Sequence, residues 1–329
     1  MALSLYFGLL VDKWLPTRWS LPEAVVDLTG RTVIVTGSNV GLGFEAAKMF
    51  YAMNPERLIL AVRNLAKGED AKRAIEGDTR SKDGSRPTVD VWQIDMASFE
   101  SVRAFASRCK KELKRVDVFI ANAAVATMEW TTTRDGWELA LETNVLSTFL
   151  LATLVAPLLV DTAKLPPPKA GIALKPHLVI VASDVHTIAT LHAKNQPNIL
   201  DALNTKPDKF NGGARYEDTK LMDILLTRQF SEIPRFNQET SGIVMCSANP
   251  GFCRSELMRE LPSLVRMIMY GIFARTTREG AKNFVWASLV NEIPQGSYVS
   301  SCAVTSPSSF VRSTEGTLVQ RKLWNELGK

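Results

Sequence analysis

Short runs of apolar residues alternate with amphipathic stretches along most of the chain from residue 31 onward. The apolar runs are rich in valine and isoleucine, which is typical of strands buried on both faces of a sheet. Seven strands are predicted, at Arg31–Thr36, Leu58–Val62, Thr88–Ile94, Asp117–Ala121, His177–Ser183, Ile243–Ala248 and Ser297–Ser301. Helices are predicted between them, at Leu42–Met53, Ala66–Glu76, Ser98–Leu113, Arg134–Val160, Arg215–Phe230 and Thr277–Val290.

This alternation predicts the α/β class, because parallel strands need long crossover connections and helices usually supply them. Right-handed crossovers then give a single-domain, Rossmann-like, doubly wound parallel sheet of about seven strands, with helices on both faces. We predict an N-terminal extension over 1–30, the Rossmann-type domain over 31–305 and a C-terminal extension over 306–329. Two long loops interrupt the pattern, at 165–176 and 186–213, and loops of that length are often functional.

Composition narrows the class of protein. The chain has 329 residues, a net charge of +5 and no lysine/arginine tract dense enough to indicate nucleic-acid binding. The densest basic run, 110–115, ends a predicted helix, where cations complement the helix dipole. Four cysteines form no CxxC pair, which favours a reducing compartment, and three histidines show no metal-ligand spacing. We expect a cytoplasmic protein without a metal site.

The N-terminal segment is apolar from Ala2 to Val11 and is followed closely by Trp14 and Trp19. Ten residues are too few to span a bilayer, which takes about 20. Without basic residues ahead of the run, a signal peptide is also poorly supported. Two interpretations remain: residues 2–19 contact a membrane surface, or they form a helix packed on the protein or a partner subunit. We favour the packed helix.

A glycine-rich turn, TGSNVGLG, leaves the first predicted strand at Thr36 and opens the first predicted helix. Glycine lets backbone N–H groups approach a pyrophosphate closely, and the helix N-terminus adds free donors and partial positive charge. Strand, turn and helix in a first βαβ unit are the context that such a motif requires. The predicted dinucleotide contacts are Gly37, Ser38, Asn39, Gly41, Leu42 and Gly43.

The second predicted strand ends without an acidic residue that would hold the ribose 2′-hydroxyl of NAD. Arg63 stands there instead, and its planar guanidinium suits a 2′-phosphate, with Lys67 in support. NADP(H) is therefore the predicted cofactor, although a merely exposed Arg63 is the alternative. Residues that follow the third, fourth and sixth strands complete the predicted cofactor site: Asp95, Met96, Asn122, Ala123, Pro250 and Gly251.

Tyr216 and Lys220 form a YxxxK pair, which places both side chains on one face of a helix. A nearby ammonium favours a phenolate, so we expect Lys220 to lower the pKa of Tyr216 and fit it for proton transfer. Ser183 ends the fifth strand at the ligand-binding edge of the sheet, where its hydroxyl could orient a carbonyl oxygen. Asn144 lies mid-helix, either holding a water or packed as a core amide.

Taken in order, these motifs closely resemble the short-chain dehydrogenase/reductase superfamily between about residues 30 and 300. The glycine spacing GxxxGxG, the Asn-Ala pair, Asn144, Ser183, the YxxxK pair and Asn249-Pro250-Gly251 all match. The sequence around Arg63, AVRNLAKGEDA, most resembles the retinol-dehydrogenase-like, NADP-preferring branch of this superfamily. The gap between Ser183 and Tyr216 is longer than is usual in this superfamily, so the resemblance does not predict the shape of that side of the pocket.

The resemblance implies a role for each catalytic residue. Tyr216 would act as acid/base, Lys220 would bind the nicotinamide ribose and tune Tyr216, and Ser183 would orient the substrate. Asn144 would support a water-linked proton path, and Pro250-Gly251 would lie beside the nicotinamide. The resemblance also implies a homodimer built through long helices.

The expected function is therefore an NADP(H)-dependent interconversion of an alcohol and a ketone or aldehyde. The segment Glu256–Ala274 is apolar and rich in methionine, which suits either a lipophilic substrate or ordinary packing. Terpenoid or polyketide secondary metabolites, steroids and retinoids are all compatible. The rivals are a lipid dehydrogenase at a membrane surface and a non-catalytic, cofactor-binding relative.

Overall fold

The computed structural model describes residues 20–78, 87–168, 173–253 and 274–328. The apolar N-terminal segment lies outside the described residues. So does the predicted substrate-capping segment, apart from Ala274. The interpretations of both segments therefore stay predictions.

Strands and helices alternate as the hydrophobic pattern predicts. The strands are β1 (Thr32–Thr36), β2 (Arg57–Val62), β3 (Thr88–Gln93), β4 (Val118–Ala121), β5 (His177–Val181), β6 (Val244–Asn249), β7 (Ser297–Ser300) and β8 (Ala303–Thr305). The helices are α1 (Gly41–Ala52), α2 (Leu65–Asp78), α3 (Phe99–Glu112), α4 (Leu139–Leu141), α5 (Ser147–Lys164), α6 (Ile199–Leu203), α7 (Gly212–Ser231), α8 (Gln238–Ser241), α9 (Thr277–Ala287), α10 (Ser309–Arg312) and α11 (Thr314–Leu327). Most of the predicted boundaries lie within two residues of these.

The sheet has eight strands in the order β3-β2-β1-β4-β5-β6-β7-β8, and the first seven run parallel. The chain moves outward from β1 to β3, then crosses back to place β4 on the other side of β1. This reversal creates a crevice at the carboxyl ends of β1 and β4, where doubly wound sheets bind ligands. The α/β, single-domain, Rossmann-like prediction is confirmed.

Two hydrophobic clusters cover the two faces of the sheet. Side chains alternate along each strand, so that Ile34 of β1 belongs to one cluster while Val33 and Val35 belong to the other. Helices α3, α5 and α7 pack on the first face, and α1, α2 and α9 on the second. A sheet buried on both sides holds its carboxyl edge rigidly, which is where the functional residues lie.

The eighth strand was not predicted. β8 pairs antiparallel with β7 through a two-residue turn at Ser301 and Cys302, both with positive φ, of 53° and 54°. Asparagine and glycine are the usual residues of such turns. Their absence here explains why the pattern did not reveal the hairpin.

The predicted start of the long helix at Arg134 is wrong. Helical structure begins at Leu139, because the buried carboxylate of Glu138 caps it by accepting from the backbone N–H groups of Ala140 and Leu141, both at 2.9 Å. A π-helical turn, Glu142–Leu146, then separates α4 from α5. The predicted loop 186–213 is also more ordered than expected, since it contains short helices at 192–195 and 199–203.

One helical run among the described residues, 139–163, is long and apolar enough to cross a membrane by length and composition alone. Its most apolar window is 67% buried inside the protein, however, and α5 contributes Phe149, Leu151 and Val155 to the core. This run is therefore explained as a core helix. At the C-terminus, α11 buries Val319 and Leu323 in the same cluster.

Candidate active site

The glycine-rich turn adopts the conformation that a phosphate-binding turn needs. Gly37 and Gly41 have positive φ angles of 66° and 64°, which other residues rarely adopt. Gly43 is required for a different reason: a Cβ there would lie 2.4 Å from the Gly37 carbonyl oxygen and 2.6 Å from Asn122 Nδ2. The backbone at Gly43 therefore lies closer to Gly37 and Asn122 than a residue with a Cβ could lie.

Asn122 and Thr36 fasten this turn to β4. Asn122 Nδ2 donates to the Thr36 carbonyl at 2.9 Å and to the Gly37 carbonyl at 3.3 Å. The hydroxyl of Thr36 accepts from the backbone N–H groups of Asn122 and Ala123, both at 3.0 Å. The predicted contacts Asn122 and Ala123 are therefore at the crevice, and Asn122 shapes the turn.

The turn has the properties of an anion site. The N-cap of α1 is Val40, which has no capping side chain, and the first turn of the helix carries no acidic residue. The hydroxyl of Ser38 is buried and has no hydrogen-bond partner among the described residues. Unpaired donors at a helix N-terminus attract phosphate through their partial charge. These features fit the pyrophosphate of a dinucleotide.

The residues expected to select the cofactor lie at the same edge. Arg63 directly follows β2, and the side chains of Arg63 and Lys67 are exposed at the start of α2. After β3, the carboxylate of Asp95 accepts from the backbone N–H of Ala97 at 3.0 Å, and Met96 is buried beside it. The carboxyl edge thus gathers all the predicted nucleotide contacts of the first half of the chain.

Tyr216 and Ser183 meet at the carboxyl end of β5. Tyr216 is the fifth residue of α7, and its phenol is near enough to the Ser183 hydroxyl for that hydroxyl to lower the pKa of the phenol. Ser183 follows β5 in an extended conformation and also caps a short 3₁₀ turn by accepting from the Val185 N–H at 3.4 Å. This capping contact is compatible with the catalytic role predicted for the serine. The long gap between the two residues does not prevent their contact.

Lys220 lies one turn further along α7 and is 3% exposed. Its Nζ lies 5.8 Å from the centroid of the Tyr216 ring, donates to the Val181 carbonyl at 2.9 Å, and pairs with Asp223 Oδ2 at 2.7 Å. The structure therefore brings together the tyrosine, the lysine and the serine of the sequence prediction. It also adds a carboxylate that the prediction did not include.

The pKa of the Tyr216 phenol is raised above its ordinary value, contrary to the expected effect of Lys220. Burial is the main cause, the Asp223 carboxylate adds to it, and the hydrogen bond with Ser183 opposes it. The expectation failed mainly because it took no account of burial; in addition, Lys220 is paired with Asp223, which offsets the positive charge of the ammonium at the phenol.

Asn144 lies in the π-helical turn and is 1% exposed. Its side chain accepts from the Val125 N–H at 2.8 Å and donates to the Val125 carbonyl at 2.9 Å and to Thr219 Oγ1 at 3.1 Å. These are the contacts of a packed amide that ties the segment after β4 to α7. The water-linked role stays a prediction.

Asn249 organises the glycine turn after β6. Its Oδ1 accepts from the Gly251 N–H at 2.9 Å and from the Asp184 N–H at 3.1 Å, which joins the ends of β5 and β6. Gly251 has a positive φ of 77°, as this tight turn requires. Pro250 and Gly251 consequently lie next to the segment that contains Ser183.

A cavity of about 220 Å³ opens beside this turn. It is lined by Asp184, Asn249, Gly251, Arg275, Tyr298 and Ser300, among others. Tyr298 donates to the Asp184 carboxylate at 2.6 Å, which fixes the wall of the cavity next to Ser183.

Sequence reasoning missed three contributors to the site. Asp223 binds Lys220, Thr219 accepts from Asn144, and Arg275 lines the cavity. Asp223 was recognisable in principle, because it stands at position i+7 from Tyr216 and shares its helix face. Arg275 had no sequence signal, since it reaches the site from a segment distant in the chain.

Comparison with known proteins gives the class to which this site belongs. Residues 31–164 match the family described as short chain dehydrogenase. The chain is 39% identical to the short chain dehydrogenase/reductase dmxR8 of Cryptosporiopsis sp., over 94% of this chain and 93% of that protein. It is also 37% identical to the short chain dehydrogenase sol3 of Alternaria solani, over 85% of this chain and 92% of that protein. The chain belongs to the short-chain dehydrogenase/reductase family.

Solved structures agree on the fold. An NADPH-bound carbonyl reductase from chicken fatty liver superposes with a TM-score of 0.62 at 18% identity, covering 88% of this chain and 99% of that one. A short-chain dehydrogenase from Sphingobium yanoikuyae in complex with NADPH gives a TM-score of 0.52 at 20% identity, covering 78% and 83%. At these identities the likeness concerns the fold alone.

Proposed function

We propose that this protein is an NADP(H)-dependent oxidoreductase that interconverts an alcohol and a ketone or aldehyde on a lipophilic small molecule. The observation that carries the proposal is the grouping of the Tyr216 phenol with the Ser183 hydroxyl and the Lys220 ammonium. This group lies at the same edge of the sheet as a glycine turn suited to a dinucleotide. Membership of an oxidoreductase family is consistent with that geometry.

The reaction needs a proton donor at the substrate oxygen, and Tyr216 supplies it. In carbonyl reduction the phenol gives its proton to the oxygen as negative charge develops there, while Ser183 donates a second hydrogen bond to the same atom. In alcohol oxidation the phenolate takes the proton back. The nicotinamide that this site would hold would supply or accept the hydride at the carbon bonded to that oxygen.

Lys220 acts on the cofactor and on Tyr216. An ammonium has three N–H groups, and two of them already bond the Val181 carbonyl and Asp223. The third is available for a hydroxyl of the nicotinamide ribose. Its positive charge stabilises the phenolate form of Tyr216 relative to a site without it.

The preference for NADP(H) rests on Arg63. Its exposed guanidinium follows β2, where a 2′-phosphate would lie, and a planar guanidinium binds phosphate in a bidentate manner. Two proteins of similar fold are described as NADPH-bound, which is compatible with this choice. A lipophilic substrate, such as a terpenoid or polyketide secondary metabolite, is proposed from the apolar composition of residues 256–274.

The proposal is tested by following NADPH absorbance over a panel of lipophilic ketones and aldehydes, with NADH in parallel. Substrate-dependent oxidation of NADPH that exceeds that of NADH is expected for at least one compound. Ser183→Ala, purified in the same way, is the control, because the activity of a contaminating host reductase would not be affected by this substitution. Activity that persists in Ser183→Ala, or no NADPH oxidation by the wild type across the panel, contradicts the proposal.

A further inference from the structure

Asp223 is a buried carboxylate whose position is not explained by packing alone. It lies on α7 within one turn of Lys220, and its side chain is 1% exposed. Its Oδ2 accepts from Lys220 Nζ at 2.7 Å, whereas its Oδ1 is buried without a hydrogen-bond partner among the described residues. A carboxylate in such a place costs free energy unless it is paired. The ion pair with Lys220 is therefore the main interaction that offsets the cost of burying this carboxylate.

The pair fixes the direction of the ammonium. Asp223 holds Lys220 Nζ from the helix side, and the Val181 carbonyl holds it from β5 at 2.9 Å. With two of three N–H groups so engaged, rotation of the ammonium is restricted and the remaining N–H keeps one orientation. Spacings of four and three residues along α7 align Tyr216, Lys220 and Asp223 on one face.

The carboxylate also acts on the phenol. Among the described residues, the groups that act on the Tyr216 phenol are Lys220 and Asp223 from α7, the Ser183 hydroxyl after β5, and the Cys253 thiol after β6. Asp223 itself is faced by Lys220. Burial raises the pKa of Asp223 to about 6, while Lys220 opposes that rise, so the carboxylate is mostly ionised above neutral pH. Its negative charge then favours the protonated phenol.

We propose that Asp223 is a positioning residue that orients the Lys220 ammonium and keeps Tyr216 protonated, the form from which carbonyl reduction starts. This inference deepens the proposed function and rests on it for its kinetic consequences. Asp223 acts through Lys220 and through its charge, without contact to the reacting atoms.

The kinetic test compares Asp223→Asn with the wild type. Asparagine keeps the size of the side chain and an oxygen acceptor for Lys220 but removes the negative charge, so the phenol loses its proton more easily. The pH above which kcat/KM for carbonyl reduction declines should move down by about one unit or more. Asp218→Asn is the matched control on the same helix: Asp218 accepts from the Leu191 N–H at 2.8 Å and does not contact Lys220. In this control, kcat/KM should decline at the same pH as in the wild type.

A second readout needs no substrate and no cofactor. With tyrosine labelled by ¹³C at Cζ, the Tyr216 signal, assigned by its loss in Tyr216→Phe, reports ionisation of the phenol directly. It should titrate at lower pH in Asp223→Asn than in the wild type. Asp223→Ser, which has a smaller side chain and also lacks the charge, serves where the asparagine variant does not fold, and the same shift is expected.

The two readouts separate the two claims. If no carbonyl compound is turned over but the Tyr216 titration still shifts, the proposed function fails and the positioning role stands. If reduction occurs but Asp223→Asn and Asp218→Asn both follow the wild-type pH profile and titration, the positioning role is overturned. An upward shift in the Asp223 variants overturns it as well.

Discussion

Two buried ion pairs lie at opposite edges of the same sheet, and they differ in how completely the carboxylate of each pair is hydrogen-bonded. At the amino edge, Arg31 bonds Asp117 at 3.0 Å. Both oxygens of Asp117 are occupied, because the Thr32 N–H donates to Oδ2 at 2.9 Å and Arg115 donates to both oxygens. This pair joins the starts of β1 and β4.

At the carboxyl edge, the Lys220–Asp223 pair leaves one carboxylate oxygen without a partner and one lysine N–H available. Tyr216 and Ser183 lie beside it. The comparison teaches that burial of charge is not by itself a sign of function. A pair whose carboxylate oxygens are both bonded, away from the ligand edge, stabilises the fold, whereas a pair with an unbonded carboxylate oxygen at that edge is available for chemistry.

The largest effect on stability is expected for Asp117→Ala. Removing this carboxylate leaves Arg31 buried without its counter-charge, which typically costs about 3–5 kcal/mol. The free energy of unfolding, measured by urea denaturation, should fall by that amount, while kcat of the folded fraction stays at the wild-type value.

The control for this variant is Asp161→Ala, which breaks the exposed pair with Lys164, where both side chains are about 70% exposed. Such surface pairs contribute about 0–1 kcal/mol. Equal losses in the two variants, or a loss of kcat in folded Asp117→Ala, would contradict the distinction between the two edges.

Gly43→Ala should have the next largest effect. The added Cβ meets backbone at 2.4 Å, so the glycine turn must shift, and overpacking of this kind costs about 1–3 kcal/mol. Cofactor affinity, measured by fluorescence titration, should fall together with the melting temperature. Gly77→Ala on α2 is the matched control, since a Cβ there meets nothing within 4 Å. If Gly43→Ala keeps cofactor affinity, the turn does not hold the phosphates.

Arg63→Ala should have the smallest effect. The loss of one charge-assisted contact weakens NADPH binding about tenfold, or roughly 1.4 kcal/mol, and leaves NADH binding unchanged. Arg73→Ala, on the helix α2 that follows Arg63 and paired with Asp70, is the control and should bind both cofactors as the wild type does. Unchanged NADPH affinity in Arg63→Ala would remove the basis for NADP preference.

The fold was predictable to a large extent because apolar periodicity depends on burial, and β1 to β7 are buried on one or both faces. What escaped prediction depends on particular side chains in three dimensions. The helix start at Leu139 depends on the Glu138 cap, and the β7–β8 hairpin depends on a turn without asparagine or glycine. Neither feature produces a periodic hydrophobic pattern in the sequence.

The candidate site shows the same division. Tyr216, Lys220 and Ser183 were predictable as residue types at characteristic positions, and the structure places them together. Their electrostatics were not predictable, since the expected lowering of the Tyr216 pKa took no account of burial or of Asp223. Spacing identifies which groups can meet, whereas their protonation depends on everything else that surrounds them.

The most direct test of proton transfer by Tyr216 is turnover of Tyr216→Phe with the cofactor dissociation constant measured on the same preparation. Loss of a general acid costs about 10²–10⁴ in rate. We therefore expect kcat to fall by at least about 100-fold, with the dissociation constant for NADPH within about twofold of the wild type, because the phenol is not needed to hold the phosphates. A Tyr216→Phe enzyme that reduces carbonyls at the wild-type rate would contradict the account.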